Sequence, residues 1–277
     1  AGSSSVNAPV VGIHKQLVPP TSNVRPPPSR ILQQQPPFVS TTVSTRGGSS
    51  CSSEKSITLT KKYALLFGML LAMNSGYVNG ICLSGLLAHD HTKQAAAAVT
   101  GAWTNSALGV ATGDNQQFLF NAKCILSYVT GSVIAGVLNP NPVLFQVAPS
   151  RVGPAFGIGS VLLYFSSTLA KNDNMKFIYL AAIANGIQNS VTSSITANLV
   201  RTTHFSGISS DIGTFLGQVL RGNTQNLMKL KVFCLLASSF WIGGLISYSL
   251  AVKFSAMSLL FSAGIYLAIA LAITTAA

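Results

Sequence analysis

The chain has 277 residues, 48% of them hydrophobic and only 8% charged, with five acidic residues against seventeen lysines and arginines. A soluble domain of ordinary composition carries about 25% charged residues, so this chain cannot clothe itself in a water-facing shell, and a lipid-facing surface is the simpler account. The net charge of +12 does not indicate nucleic acid. The basic residues are scattered between apolar runs and along the N-terminal tail instead of clustering with aromatics on one module, and beside apolar spans Lys and Arg mark the cytoplasmic side and contact anionic lipid.

Residues 1–58 form a tail rich in Ser, Pro, Gln and Val, with "VPPTSNVRPPPSR" and "QQQPP". Lys15, Arg25, Arg30 and Arg46 precede the first acid, Glu54. The tail has many prolines and no periodic apolar face, which predicts disorder with polyproline character. No secretory apolar stretch is present in it. The leader fits a cytosolic tail or the remnant of an organelle transit peptide, so plasma and organelle membranes both stay open.

From Lys61 onward come eight apolar runs, at roughly 63–87, 95–113, 120–139, 152–170, 175–198, 204–220, 228–250 and 254–275. A spanning helix needs about 20 mostly apolar residues, and in lipid the backbone must be paired within the segment, so helix is the expected state. Six runs meet the length comfortably. The second ("AAAAVTGAWTNSALGVATG") and sixth ("HFSGISSDIGTFLGQVL") are short and polar, fit either for full helices facing the interior or for re-entrant segments. If all eight cross, Lys and Arg divide nine to four between the two sides. If the short ones do not, the division is eight to five. The positive-inside rule therefore favours eight crossings, by one residue.

An offset of 106 lays the chain on itself. Asn79-Gly80-Ile81 falls on Asn185-Gly186-Ile187, Ser84 on Ser190, Gly101 on Gly207, and Thr100, Thr104 and Asn105 on Ser206, Ser210 and Asp211. Further along, at a slightly larger offset, Lys123 meets Lys231 and Gly136 meets Gly244. The expected fold is thus all-α, a polytopic transmembrane bundle over 59–275, built from two repeats of about four apolar segments (about 61–170 and 175–275) behind the disordered tail. Four crossings per half would make the repeat parallel, and three would make it inverted. Both arrangements occur in transporters, with the site at the repeat interface flanked by interrupted helices.

The blocks "GYVNGICLSGLL", "VTGAWTNSALGVATGD", "NGIQNSVTSSITANLVRTTHFSGISSDIG" and "FWIGGLI" resemble the YoaK family of small integral membrane proteins over about residues 60–275, most specifically in the block at 201–213. That resemblance implies a compact multi-span fold in a membrane and supplies neither a substrate nor a catalytic residue.

The polar residues inside the runs carry the functional reading. Asp211 is the one carboxylate within a predicted span, and a charge at that depth faces a cavity or a partner. A cation or proton site and a helix-pinning ion pair or hydrogen bond are the two accounts of it. Asn105 holds the duplicated position, with Thr104 and Ser210 beside the two. Asn79 and Asn185 form a second matched pair, with Gln188 and Asn189 next to the latter, while Gly76 and Gly80 allow a neighbouring helix to come close. Arg201 and His204 head the sixth run, either as interfacial anchors or caps, or with Arg201 recruiting an anion or pairing with Asp211. His89-Asp90-His91 has no third ligand set in view and reads as a hydrated loop. Cys82, Cys124 and Cys234 lie in or beside apolar runs without CxxC spacing, so buried reduced thiols are expected. Gly207-Ile208-Ser209-Ser210 with His204 lacks a nucleophile elbow, and there is no phosphate loop, dinucleotide fingerprint or HExxH.

The sequence-level expectation is a non-enzymatic integral membrane protein, a secondary transporter or permease for a small solute or cation, with Asp211, Asn105, Asn79, Asn185, Thr104, Ser210, Arg201 and His204 as candidate site residues. No catalytic residue, metal or cofactor is expected. The partner is the bilayer, with a homo-oligomer left open and no nucleic acid. The alternative is a structural or assembly subunit of a membrane complex, in which amides and glycines serve helix packing.

Overall fold

A computed structural model describes residues 56–87 and 93–276. The expectation of a disordered tail and the His89-Asp90-His91 loop therefore lie almost wholly outside the described residues. Each apolar run forms a helix: α1 Lys61–Ser84, α2 Thr100–Thr112, α3 Asn115–Leu138, α4 Pro149–Lys171, α5 Phe177–Ile195, α6 Phe205–Leu220, α7 Leu227–Phe254 and α8 Leu259–Thr275, with a 3-10 turn, Ser255–Ser258, between the last two. Local chemistry sets the boundaries. The Thr60 hydroxyl accepts from the Tyr63 N–H and Asp114 from the Gln117 N–H, each occupying a donor that a helix start leaves unpaired. Gly85 and Gly113 end α1 and α2 at φ 69° and 72°, a left-handed conformation that glycine adopts without penalty.

Hydrogen bonds fix which helix ends lie together. β1 (Ile57–Thr58) pairs antiparallel with β2 (Gln146–Val147), and the Leu59 N–H donates to the Phe145 carbonyl (2.7 Å), whose own N–H donates to Ile195 (2.8 Å). The start of α1, the start of α4 and the end of α5 thus share one end of the bundle, the first end. Ser160 and Ser167 donate to the carbonyls of Ala263 (2.8 Å) and Ala256 (2.9 Å), so α4 and α8 run antiparallel and α8 finishes at the first end. At the opposite, second end, Ser166 donates to the Phe177 carbonyl (2.8 Å) and Tyr77 to the Ser258 carbonyl (2.7 Å). α1 lies along α7, α3 along α5 and α4 along both α5 and α8.

The two short runs do not run the length of the bundle. After α1 reaches the second end, residues 93–99 descend beside it, with the Gln94 N–H donating to the Cys82 carbonyl (3.4 Å) and the Ala97 N–H to Asn79 Oδ1 (2.7 Å). α2 then starts at the level of Asn79 and returns to the second end, where α3 begins. The second half does the same from the first end. Residues 196–203 descend beside α5 until Thr202 meets Gln188 and Asn189. α6 returns against α7, with Phe205 on Phe240 and Phe215 on Phe233. Each of these helices starts at mid-bundle, beside Asn79 or Gln188, and returns to the end from which its chain descended. This corrects the preference for eight crossings drawn from the lysine and arginine count. A margin of one charge is outweighed by the path of the chain, which descends beside α1 and α5 before each short helix begins. Six helices run the length of the bundle and two half-length helices enter and leave at the same end.

The distribution of residues is that of a membrane protein. Large apolar side chains such as Leu126, Val137, Val161, Tyr164, Trp241 and Val252 stand exposed around the outside, while Asn74, Ser75, Asn185, Gln188, Thr192 and Thr202 are buried. Lys61–Ser84, Asn115–Leu138, Pro149–Lys171 and Leu227–Thr275, which holds both α7 and α8, are long and apolar enough to cross a bilayer. α5 is not among these stretches. It carries four consecutive or near-consecutive polar positions, Asn185, Gln188, Asn189 and Ser190, and lies among α1, α3 and α4.

Candidate functional site

Two crossings hold the centre together. A Cβ on Gly76 would overlap the Phe240 carbonyl and one on Gly243 the Met73 carbonyl, where α1 meets α7. Where α3 meets α5, Gly131 and Gly186 stand in the same relation to the carbonyls of Ile183 and Tyr128. These four glycines bring backbones into direct contact. Gly76-x-x-x-Gly80 serves as expected from the sequence, since Gly80 likewise has no room for a Cβ beside Ser247.

Between these crossings lies a layer of buried polar side chains around Gln188. Its amide nitrogen is within bonding reach of the Leu71 carbonyl (2.8 Å), Ser75 Oγ (2.7 Å) and Thr202 Oγ1 (3.0 Å). Its amide oxygen accepts from the Tyr266 hydroxyl (2.6 Å) and Asn74 Nδ2 (3.4 Å). Asn185 belongs here, accepting from Ser75 Oγ (3.2 Å) and donating to the Ala181 carbonyl (3.0 Å). This layer is almost fully paired within the protein, with Asn74 Oδ1 a buried atom in it that lacks a partner among the described residues. It joins α1, α5, α8 and the descending residues 196–203.

Next to it is a cavity of about 530 Å³. Val99, Thr100 and Gly101 at the start of α2 and His204, Phe205 and Ser206 at the start of α6 line it from opposite ends of the bundle, with Asn79, Tyr128, Asn189, Asn198, Arg201 and Thr203 around the wall. Neither helix start is capped by a side chain. The first N–H of α2 to find a carbonyl is that of Trp103, and the first of α6 that of Ile208. The preceding amides therefore face the cavity region with the positive ends of both helix dipoles. Asn79 is 95% buried. Its oxygen takes the Ala97 N–H, while its amide nitrogen makes no hydrogen bond among the described residues. The Thr203 and Tyr128 hydroxyls bond each other at 2.7 Å. Arg201 is half-buried with no ion pair among the described residues, and none of the described lining residues is acidic.

Of the residues singled out in the sequence, the structure brings Asn79, Arg201 and His204 to this one cavity and places Asn185 in the buried polar layer beside it. Asn105 and Asp211 are half-buried, and Thr104 and Ser210 exposed, each farther along its half-helix. Because α2 and α6 leave the cavity toward opposite ends, Asn105 and Asp211 lie on opposite sides of it. Asp211 makes no hydrogen bond or ion pair among the described residues, with Arg201 or with any other. Tyr266, Asn74 and Thr202 carry much of the polar layer and gave no sequence signal, because a lone tyrosine or threonine in an apolar run is common. Gln188 and Asn189 were visible as amides beside Asn185. Cys82 and Cys124 are free and buried and Cys234 free and exposed. No metal-binding cluster occurs among the described residues.

The chain belongs to the DUF1275 family, described as proteins of unknown function, whose pattern it matches over residues 67–272. No curated protein and no solved structure matches it.

Proposed function

We propose that this membrane protein is a permease for a small solute, and that the cavity between the starts of α2 and α6 is the point where the solute is held. The observation that carries the reading is the meeting of two half-length helices, one from each end of the bundle, at a polar cavity. Transport proteins place solute sites at interrupted helices of this kind, and irregular backbone is tolerated at membrane depth where it is buried or lines a cavity. A volume of about 530 Å³ falls in the usual range for small-molecule sites, about 300–1,000 Å³.

The duplication is part of the proposal. With three full-length helices and one half-length helix in each half, the repeat is inverted. The offset of 106 carries Gln94, Ala97, Asn79 and Cys82 onto Val200, Thr203, Asn185 and Gln188, so descending segment and flanking helix correspond in both halves. The matching of α1 with α7 to α3 with α5 also follows from that symmetry. We further propose that within its family the chain stands with the YoaK proteins. The pairing of Asn185 and Gln188 with protein groups favours the structural alternative for that layer, where the amides serve to fix helices.

Stopped-flow light scattering on proteoliposomes, scanned over small polar solutes, tests the permease. Gly101 lines the cavity and a Cβ there would meet nothing within 4 Å, so Gly101→Phe can fill the space without disturbing the backbone. Flux above empty liposomes that the Phe variant abolishes, at unchanged thermal stability, is the expected result. No flux of any solute, or flux unaffected by Gly101→Phe, removes the reading.

A further inference from the structure

We infer that the cavity selects small oxyanions of the carboxylate or nitrate type, an assignment that rests on the permease reading for its physiological sense but not for its test. The sum of charge around the cavity is the argument. Arg201 contributes a full positive charge, and its guanidinium presents a planar fork of donors matched to two oxygens of a trigonal oxyanion. The starts of α2 and α6 each add roughly half a positive charge in the form of unpaired N–H groups. Neither start has a side-chain cap, and both line the same cavity as Arg201.

Nothing among the described lining residues balances this charge. The three described carboxylates are elsewhere. Asp114 caps α3, Asp173 sits in the turn after α4, and Asp211 lies six residues beyond Phe205 on α6, outside the lining.

An independent observation points to an acceptor-rich ligand. Asn79 is 95% buried and lines the cavity. Its oxygen is already taken by the Ala97 N–H at 2.7 Å, which fixes the orientation of the amide and leaves Nδ2 as a donor without an acceptor. The described charged and helix-terminal groups at this wall, together with the free face of Asn79, all offer positive charge or N–H. A cation would meet two helix dipoles and an arginine of its own sign, the arrangement that excludes cations in selective pores. The hydroxyls of Ser206 and of the Thr203–Tyr128 pair can serve an anion as donors.

The experiment uses the full chain in detergent and in liposomes, with sodium acetate and sodium nitrate as probes and sodium gluconate as the bulky control. Acetate and nitrate are expected to raise the melting temperature saturably and to exchange across proteoliposomes, with gluconate doing neither. Arg201→Gln should weaken the acetate midpoint by about 10- to 100-fold, the loss associated with one charge-assisted hydrogen-bond partner. Asn79→Asp keeps the acceptor for Ala97 and replaces the free donor with a carboxylate oxygen held where the anion would sit, so it should abolish anion binding while the unliganded protein melts at or above the wild-type temperature. If Arg201→Gln does not fold, Asn79→Asp alone decides. Flux of neutral solutes or cations without any anion response, or acetate binding that survives both substitutions, overturns the oxyanion assignment and leaves the permease standing. Saturable anion binding without flux overturns the permease and leaves the assignment standing.

Discussion

Gln188→Leu is the substitution by which the polar layer can be weighed. Leucine conserves most of the volume and removes both halves of the amide. Tyr266 then loses its 2.6 Å acceptor and keeps a 3.4 Å contact to the Ala184 carbonyl, and Asn74 loses its 3.4 Å acceptor with Oδ1 already unpaired. Ser75 still donates to Asn185 and Thr202 still reaches Asn189 at 3.5 Å, so two groups lose their main partner. A stranded buried polar group costs about 1–3 kcal/mol, and the weaker coupling typical of polar pairs in membrane bundles draws the total toward the lower part of the range, about 2–4 kcal/mol. For a domain of this size that corresponds to a fall in Tm of about 5–15 °C, measured by fluorescence-detected size exclusion after heating in detergent. Thr202 precedes Arg201's cavity neighbours, and Gln188 holds it at 3.0 Å. The variant should therefore also blunt the melting response to acetate. A Gln188→Leu protein that melts with wild type would show that the layer is not a fastening, and the geometric account of how residues 196–203 are held would fail with it.

Three further outcomes are expected. Gly186→Ala places a methyl against the Tyr128 carbonyl, which is backbone and cannot swing aside, so destabilisation of about 1–3 kcal/mol is expected from overpacking. Gly136→Ala, where a Cβ meets nothing within 4 Å, should melt as wild type, and equal behaviour of the two would refute the crossing. Single cysteines at Ser84 and Asp114 should label with an impermeant maleimide from one side of the membrane, and cysteines at Ala197 and Gly222 from the other. Labelling of positions 84 and 114 from opposite sides would restore the eight-crossing arrangement. Asp211→Asn should change stability by less than about 0.5 kcal/mol, the usual range for a surface-like substitution, because the carboxylate has no partner among the described residues. It should leave acetate flux at or above wild type, and loss of flux would return Asp211 to a coupling role.

The helices were legible because apolar runs of sufficient length, bounded by Thr60, Gly85, Gly113, Asp114 and Pro149, leave the backbone little choice. The path of the short runs was not. Whether residues 95–113 continue through the bilayer or turn back depends on how the Ala97 N–H and the Gln94 N–H are satisfied, and their acceptors, Asn79 Oδ1 and the Cys82 carbonyl, lie in a different segment. Charge counting could not substitute, since lysines and arginines are too evenly spread between the two ends. The site was half visible. Asn79, Arg201 and His204 stood out as polar residues in apolar surroundings and do share one cavity. Asn105 and Asp211 fall on each other at the offset of 106, yet they stand on half-helices that leave the cavity in opposite directions and so lie apart.

Asn79 joins the folding requirement to the proposed chemistry, and two substitutions can separate them. A chain that descends into a lipid-facing bundle without helical hydrogen bonds must find partners for its amides inside the protein. The descending residues 93–99 find one in Asn79 Oδ1, as residues 196–203 find theirs in Thr196 Oγ1, which accepts from the Val200 N–H at 3.1 Å. Asn79→Leu removes that acceptor and leaves the buried Ala97 N–H unpaired, at a cost of about 1–3 kcal/mol. With the start of α2 no longer held, the Leu variant should lose flux for every solute together with thermal stability. Asn79→Asp retains the acceptor, so it should keep the stability and lose only the anion response. Equal Tm values for Asn79→Leu and wild type would show that the Ala97 contact does not position α2, and the cavity would then lack the fixed wall on which its proposed selectivity depends.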